Sequence, residues 1–228
     1  PRLALDFILE LFNRTTERYT HSRLDSNEEE SILPTYYPEG VTTVEIRLND
    51  GSDVTQYCSH RLWCGYRGTS VLPYLLQSAL MALENWLISI AEAPNNDKTL
   101  EWVFDYILRN SNSVMPTAVL ASIATAFPNK SGKAALPLLR TSSLYEWDLI
   151  RCGVEMTSLG APHMPGEPYW QIYSKERNTA NKRPWRVESL ENLVTRLQFT
   201  ELRTEVFSIL DTFKANISEL CKDENDDA

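Results

Sequence analysis

A chain of 228 residues, 43% apolar and 23% charged, can bury a sizeable core as one large or two small domains, which excludes wholesale disorder. Its net charge of −9 repels phosphate backbones and disfavours general nucleic-acid binding. No stretch offers about 18 uninterrupted apolar residues and no basic-then-apolar leader opens the chain, so neither a membrane-spanning helix nor secretion is expected.

In chain order, Leu5, Ile8, Leu9 and Phe12 recur at helical spacing between Leu3 and Tyr19 and predict an amphipathic helix. Glu28, Glu29 and Glu30, then Pro34 and Pro38, read as a loop with a solvated acidic run. Val44, Ile46 and Leu48 alternate with polar residues, and Asp50-Gly51 is a tight-turn signal before Asp53–Cys58. Together they predict a β-hairpin, which alone would be marginal in water and must lie against something.

Thr69 and Ser70 offer caps for a long helix. Its stripe is Leu72, Leu75, Leu76, Ala79, Leu80, Leu83, Trp86, Leu87 and Ile90, and Pro73 falls in its first turn. Pro94-Asn-Asn96 stops it, and Asp97 is expected to cap the next, striped by Leu100, Val103, Phe104, Ile107 and Leu108. Ser113 is expected to cap Val114–Phe127, whose small residues Ala118, Ala121, Ser122, Ala124 and Ala126 permit close backbone approach. A short helix is expected from about Gly132 to Arg140. Ser143-Leu-Tyr-Glu146 reads as a capping box opening a helix with Leu144, Trp147, Ile150 and Val154 on one face. Short links force neighbours to be antiparallel. The core is expected to hold Leu76, Leu80, Leu83, Trp86, Leu87, Phe104, Ile107 and Trp147.

Gly160, Pro162, Pro165, Gly166, Pro168 and Pro184 then mark a long excursion. Helical sequence resumes at Leu190, Leu193, Val194 and Leu197. A last helix is expected from a Thr200 cap, through Leu202, Val206, Ile209, Leu210, Phe213, Ile217 and Leu220, to a polar tail. The expected fold class is mainly α: an antiparallel helical array, bundle or α-solenoid-like, with one small β-hairpin. Its expected parts are 1–67 (N-terminal helix, acidic loop and hairpin), 68–157 (helical array), 158–186 (excursion) and 187–228 (C-terminal helices and tail).

Candidate chemistry is sparse. The four cysteines, Cys58, Cys64, Cys152 and Cys221, are irregularly spaced, unlike a disulfide framework, and fit a reducing cytoplasm. Cys58, His60 and Cys64, with His21 elsewhere, match no zinc knuckle, so no metal is expected. A Cys/His hydrolase is a reading with no recognisable nucleophile setting around His21, His60 or His163. Cys64-Gly-Tyr-Arg-Gly-Thr-Ser70 leads into a helix but lacks the P-loop lysine, leaving a turn with Arg61 and Arg67 nearby. Glu146, Asp148 and Glu155 read as helix-surface charge. No catalytic residue and no cofactor is assigned to this segment. The excursion carries Trp170, Tyr173, Arg183, Trp185 and Arg186 beside Lys182. Such residues bind nucleic acid by charge and stacking, anchor an acidic protein surface, or fold onto this chain's own acidic body. They are the candidate partner-binding residues.

Arg67-Gly-Thr-Ser-Val-Leu-Pro73, Leu80-Met-Ala-Leu-Glu-Asn-Trp-Leu87, Leu108-Arg-Asn-Ser-Asn-Ser-Val114, Thr117-Ala-Val-Leu-Ala-Ser-Ile123, Leu138-Leu-Arg-Thr141 and Glu146-Trp-Asp148 together resemble a helical region of large bacterial STAND-type NTPases of antiviral defence, including AVAST-type systems. Leu193–Phe213 is similar to the next stretch of those proteins. The resemblance implies a non-catalytic scaffold or sensor segment, with ATP bound by a separate module of the full-length chain. Its implied partners are other domains of that chain, a phage protein as trigger and further copies in an oligomer, with no membrane. A chain opening at Pro1 directly in helix-like sequence fits either an internal segment or a processed protein.

Overall fold

The computed structural model describes residues 2–22, 40–65, 72–157 and 182–226, together with 175 and 179. Residues 23–39 with the acidic run, residues 66–71 with the expected caps Thr69 and Ser70, most of the excursion and therefore Trp170 and Tyr173 lie outside the described residues. The fold is mainly helical with one antiparallel hairpin, as the periodicities predict. The elements are α1 (Arg2–Ser22), β1 (Thr42–Arg47), β2 (Asp53–Cys58), α2 (His60–Cys64), α3 (Tyr74–Glu92), α4 (Asp97–Asn110), α5 (Val114–Ala126), α6 (Pro128–Leu139), α7 (Ser142–Thr157), a 3-10 turn (Pro184–Arg186), α8 (Leu190–Leu197) and α9 (Arg203–Asp226). Among the described residues, no helix is long and apolar enough to cross a membrane.

The hairpin pairs Val44 with Gln56 and Ile46 with Val54. Gly51 takes a positive φ of 87°, a conformation that L side chains rarely adopt. Asp50 fixes the turn by accepting from the Ser52 backbone N–H (2.9 Å) and hydroxyl (2.7 Å). Val44, Ile46 and Leu48 alternate inward with Gln56 and Cys58 onto the helices, which supplies the support a two-stranded sheet needs. Buried Gln56 is satisfied there: its amide donates to the Leu108 carbonyl (3.3 Å), and its oxygen accepts from Thr117 Oγ1 (2.6 Å).

Helix α5 is the centre. Every residue from Val114 to Thr125 is buried, and α1, α2, α3, α4, α6 and α8 all pack against it. Its alanines and serine let these neighbours approach closely. Ser113 caps it as predicted, its hydroxyl accepting from Met115 N at 3.3 Å. Leu76, Leu80, Leu83, Leu87, Phe104 and Ile107 are buried in the core, while Trp86 and Trp147 pack against it half-buried.

Several boundaries differ from the expectation. Helix α3 begins at Tyr74, so Pro73 precedes the helix instead of entering its first turn. The residue before α4 is Asn96, and Asp97 stands in the first turn. Helix α6 starts four residues early because Pro128 occupies its first position, where no N–H is needed. Helix α7 starts at Ser142, which places Ser143 inside the helix and removes it as a cap. Helix α9 starts at Arg203, after a turn in which Thr200 Oγ1 accepts from Leu202 N at 3.2 Å. Gly132 marks a close crossing in α6: a Cβ there would fall 2.8 Å from Leu197 Cδ2 and 3.0 Å from Leu202 Cδ1.

Candidate functional site: a buried ionic cluster under a strap

Helix α7 carries Asp148, Arg151 and Glu155 at steps of three and four, which puts all three on one face. That face points inward, and each residue is only 3% exposed. The expectation of surface charge for Asp148 and Glu155 is therefore corrected, while Glu146 does face solvent. The reason is Arg151, which lies between the two acids and pairs with both: Nε with Asp148 Oδ1 at 2.7 Å and Nη1 with Glu155 Oε2 at 2.8 Å. Charges leave water together when each finds an opposite partner and hydrogen bonds.

Asp148 is a junction. Its Oδ1 also accepts from Trp63 Nε1 of α2 (3.2 Å), and its Oδ2 accepts from Leu190 N at the start of α8 (2.8 Å). Arg151 reaches beyond its own helix as well, donating to the carbonyls of Arg186 (3.2 Å) and Glu188 (2.5 Å). Arg186 in turn enters the interior, and its Nη2 meets Glu84 Oε2 of α3 at 3.2 Å. Glu84 Oε1 accepts from Ser122 of α5 at 3.3 Å. Three carboxylates and two guanidiniums thus share one buried cluster that ties α2, α3, α5, α7 and α8. Arginines hold these carboxylates and solvent barely reaches them, an arrangement suited to positioning helices rather than to moving protons for a substrate.

The candidate partner-binding residues divide accordingly. Arg186 is 5% exposed, and its guanidinium is directed into the interior. Trp185 is half-buried, its ring centroid 6.3 Å from that of Phe127, and the Arg183 guanidinium lies 5.7 Å above the Trp185 ring. The described end of the excursion therefore folds onto the acidic body, one of the three uses its composition allows. Glu84 escaped the sequence reading, yet a signal exists: it stands four residues after Leu80 and three before Leu87, on the apolar stripe itself.

His60 and Cys64 share a face of α2, with Cys64 Sγ 3.2 Å from His60 Nε2. Cys58 Sγ lies 3.1 Å from Thr42 Oγ1. Burial, and next the charge of Arg61, pushes the His60 imidazole below its ordinary range. The Cys58 and Cys64 thiols are buried, 1% and 0% exposed. His21 stays exposed, its Nδ1 2.6 Å from the Glu17 carbonyl of its own helix. Among the described residues, no group of three or more His, Cys, Asp or Glu could hold a metal ion.

The outer surface carries large apolar groups. Leu3 (86% exposed) and Phe7 (72%) stand one turn apart on α1, opposite buried Leu5, Leu9 and Phe12. Trp102 of α4 is 46% exposed and stacks on Tyr106 at 5.1 Å, with the Arg2 guanidinium 5.4 Å from the Tyr106 ring. Searches found neither a protein-family model nor a curated protein that matches the chain.

Proposed function

We propose that this chain is a non-catalytic scaffold or sensor segment of a larger bacterial ATP-dependent antiviral-defence protein, and that it works through protein–protein contacts. The observation that carries the contact reading is α1. Its inner face is core, and Leu3 and Phe7 expose an apolar patch on the first two turns of its outer face, ahead of the exposed Glu10–Arg14 ion pair. Adjacent exposed leucine and phenylalanine side chains are suited to a protein–protein contact. The ionic cluster favours the same reading, because it holds five elements in fixed relation, as a scaffold requires. The assignment to antiviral defence rests on the resemblance of the helical sequence to STAND-type NTPases.

The test is to express the complete reading frame in a phage-sensitive bacterium and challenge it with a phage panel. The expected result is a nucleotide-binding motif upstream and protection that disappears when its lysine is replaced or when Phe7→Asp is introduced. A reading frame without such a motif, or full protection by the Phe7→Asp variant, overturns the proposal. The hydrolase alternative has one observation in its favour, the 3.2 Å Cys64–His60 approach, but a thiol with no exposed surface cannot meet a substrate in this arrangement. Nucleic-acid binding by the excursion is weakened by the inward course of Arg186.

A further inference from the structure

Residues 184–188 cross the helical array as a strap, and the way it is anchored differs from its surroundings. Helix α8, next in the chain, is held by apolar side chains: Leu190, Leu193 and Leu197 are fully buried. Among the described side chains of 185–188, Val187 is 48% exposed, Trp185 and Glu188 are half-buried, and the one that goes fully inside is Arg186. Beside the Trp185 ring against Phe127, the strap's docking is polar: one contact to Glu84, and the grip of Arg151 on the Arg186 and Glu188 carbonyls. Among the described residues, Trp185 Nε1, Arg186 Nε and Glu188 Oε2 are buried polar atoms with no protein hydrogen-bond partner.

We infer that the strap is a latch: a segment that detaches from the array as a unit while α3, α5, α7 and α8 stay folded, opening the buried Glu84–Arg151 region to water. The break between latch and body falls at Ser189–Leu190. There Asp148 Oδ2 holds Leu190 N, and Asn192 Oδ1 accepts from Ser189 N at 2.8 Å, so α8 keeps its start without the strap. Segments that open locally are those with few buried apolar contacts. The inference does not depend on the defence assignment.

Native-state hydrogen exchange on the intact chain tests it. In the wild type, amides of 185–188 are expected to exchange about tenfold or more faster than those of Val119 and Leu120 in α5. Glu84→Gln leaves Arg186 without its opposite charge and is expected to speed strap exchange by about a further tenfold, with α5 unchanged. The paired change Glu84→Met with Arg186→Met removes both charges and is expected to slow strap exchange below the wild-type rate. Strap and α5 amides exchanging together in the wild type overturn the latch, as does a Glu84→Gln variant in which both accelerate equally. Strap exchange in the double variant as fast as in Glu84→Gln overturns the ionic origin of the detachment. Should Glu84→Gln fail to fold, Arg186→Lys, which keeps the charge but loses the planar fork, supplies the same comparison.

Discussion

Arg186 meets Glu84 at 3.2 Å across 102 positions of sequence, with side chains only 6% and 2% exposed. A pair so distant in the chain and so dry fixes the path of the strap over α3. It also makes each partner intolerant of losing the other, since a single charge left behind is buried without compensation.

Asp148→Asn is expected to cost about 3–5 kcal/mol, because Arg151 then loses one of its two carboxylates inside the protein. Asp148→Asn with Arg151→Met should cost less than the sum of the two single changes. Chemical denaturation of the four proteins measures the coupling, and strict additivity would show that the two side chains act independently.

Leu83→Ala is expected to destabilise by about 2–5 kcal/mol, the range for truncating a core leucine. Leu83 is 1% exposed on the inward stripe of α3. A thermal melt followed by circular dichroism reads the effect, and an unchanged midpoint would place the stripe in solvent.

Phe7→Ser should leave the stability of the chain within about 0.5 kcal/mol, since the side chain is 72% exposed. Self-association or assembly through α1 should weaken in the same variant. Sedimentation velocity of wild type and variant, beside their melting curves, separates the two effects.

His60 gives a pH dependence with a defined sign. Burial lowers its pKa in the folded state, so on acidification the unfolded chain takes up the proton first, near the ordinary imidazole value of about 6.5. Below that pH the unfolded state binds more protons, and stability falls as the pH drops towards the folded pKa. The wild-type melting temperature is expected to fall between about pH 7.5 and pH 5.5 by more than that of His60→Gln. Equal falls would show that the titrating group lies elsewhere.

Helices with a strong stripe were legible from spacing alone, because burial of Leu80, Leu83 and Leu87 follows directly from period 3.6. The hairpin was legible from Asp50-Gly51, since few other sequences make that turn cheaply. Helix ends were less so: Pro128 follows the end of α5 as expected but also starts α6, which the sequence placed four residues later. The ionic cluster was hidden for another reason. Asp148, Arg151 and Glu155 at steps of three and four describe a solvated ladder and a buried one equally well. Only the arrival of Arg186 and Leu190 from later in the chain makes the buried one favourable. Hydrophobic pattern is local information, whereas charge compensation across elements is not.

The junction between α4 and α5 has a consequence for synthesis. Tyr57 N donates to the Asn112 carbonyl (2.7 Å), Asn112 N donates to Asn13 Oδ1 (2.9 Å), and Thr16 Oγ1 meets Ser113 Oγ (2.8 Å). Helix α1 and the hairpin thus close onto residues 112 and 113, made long after them. On the ribosome, where residues emerge in chain order, α1 and the hairpin have to wait. Their apolar faces lack these partners until position 113 clears the exit tunnel, so the order of translation here runs against the order of assembly.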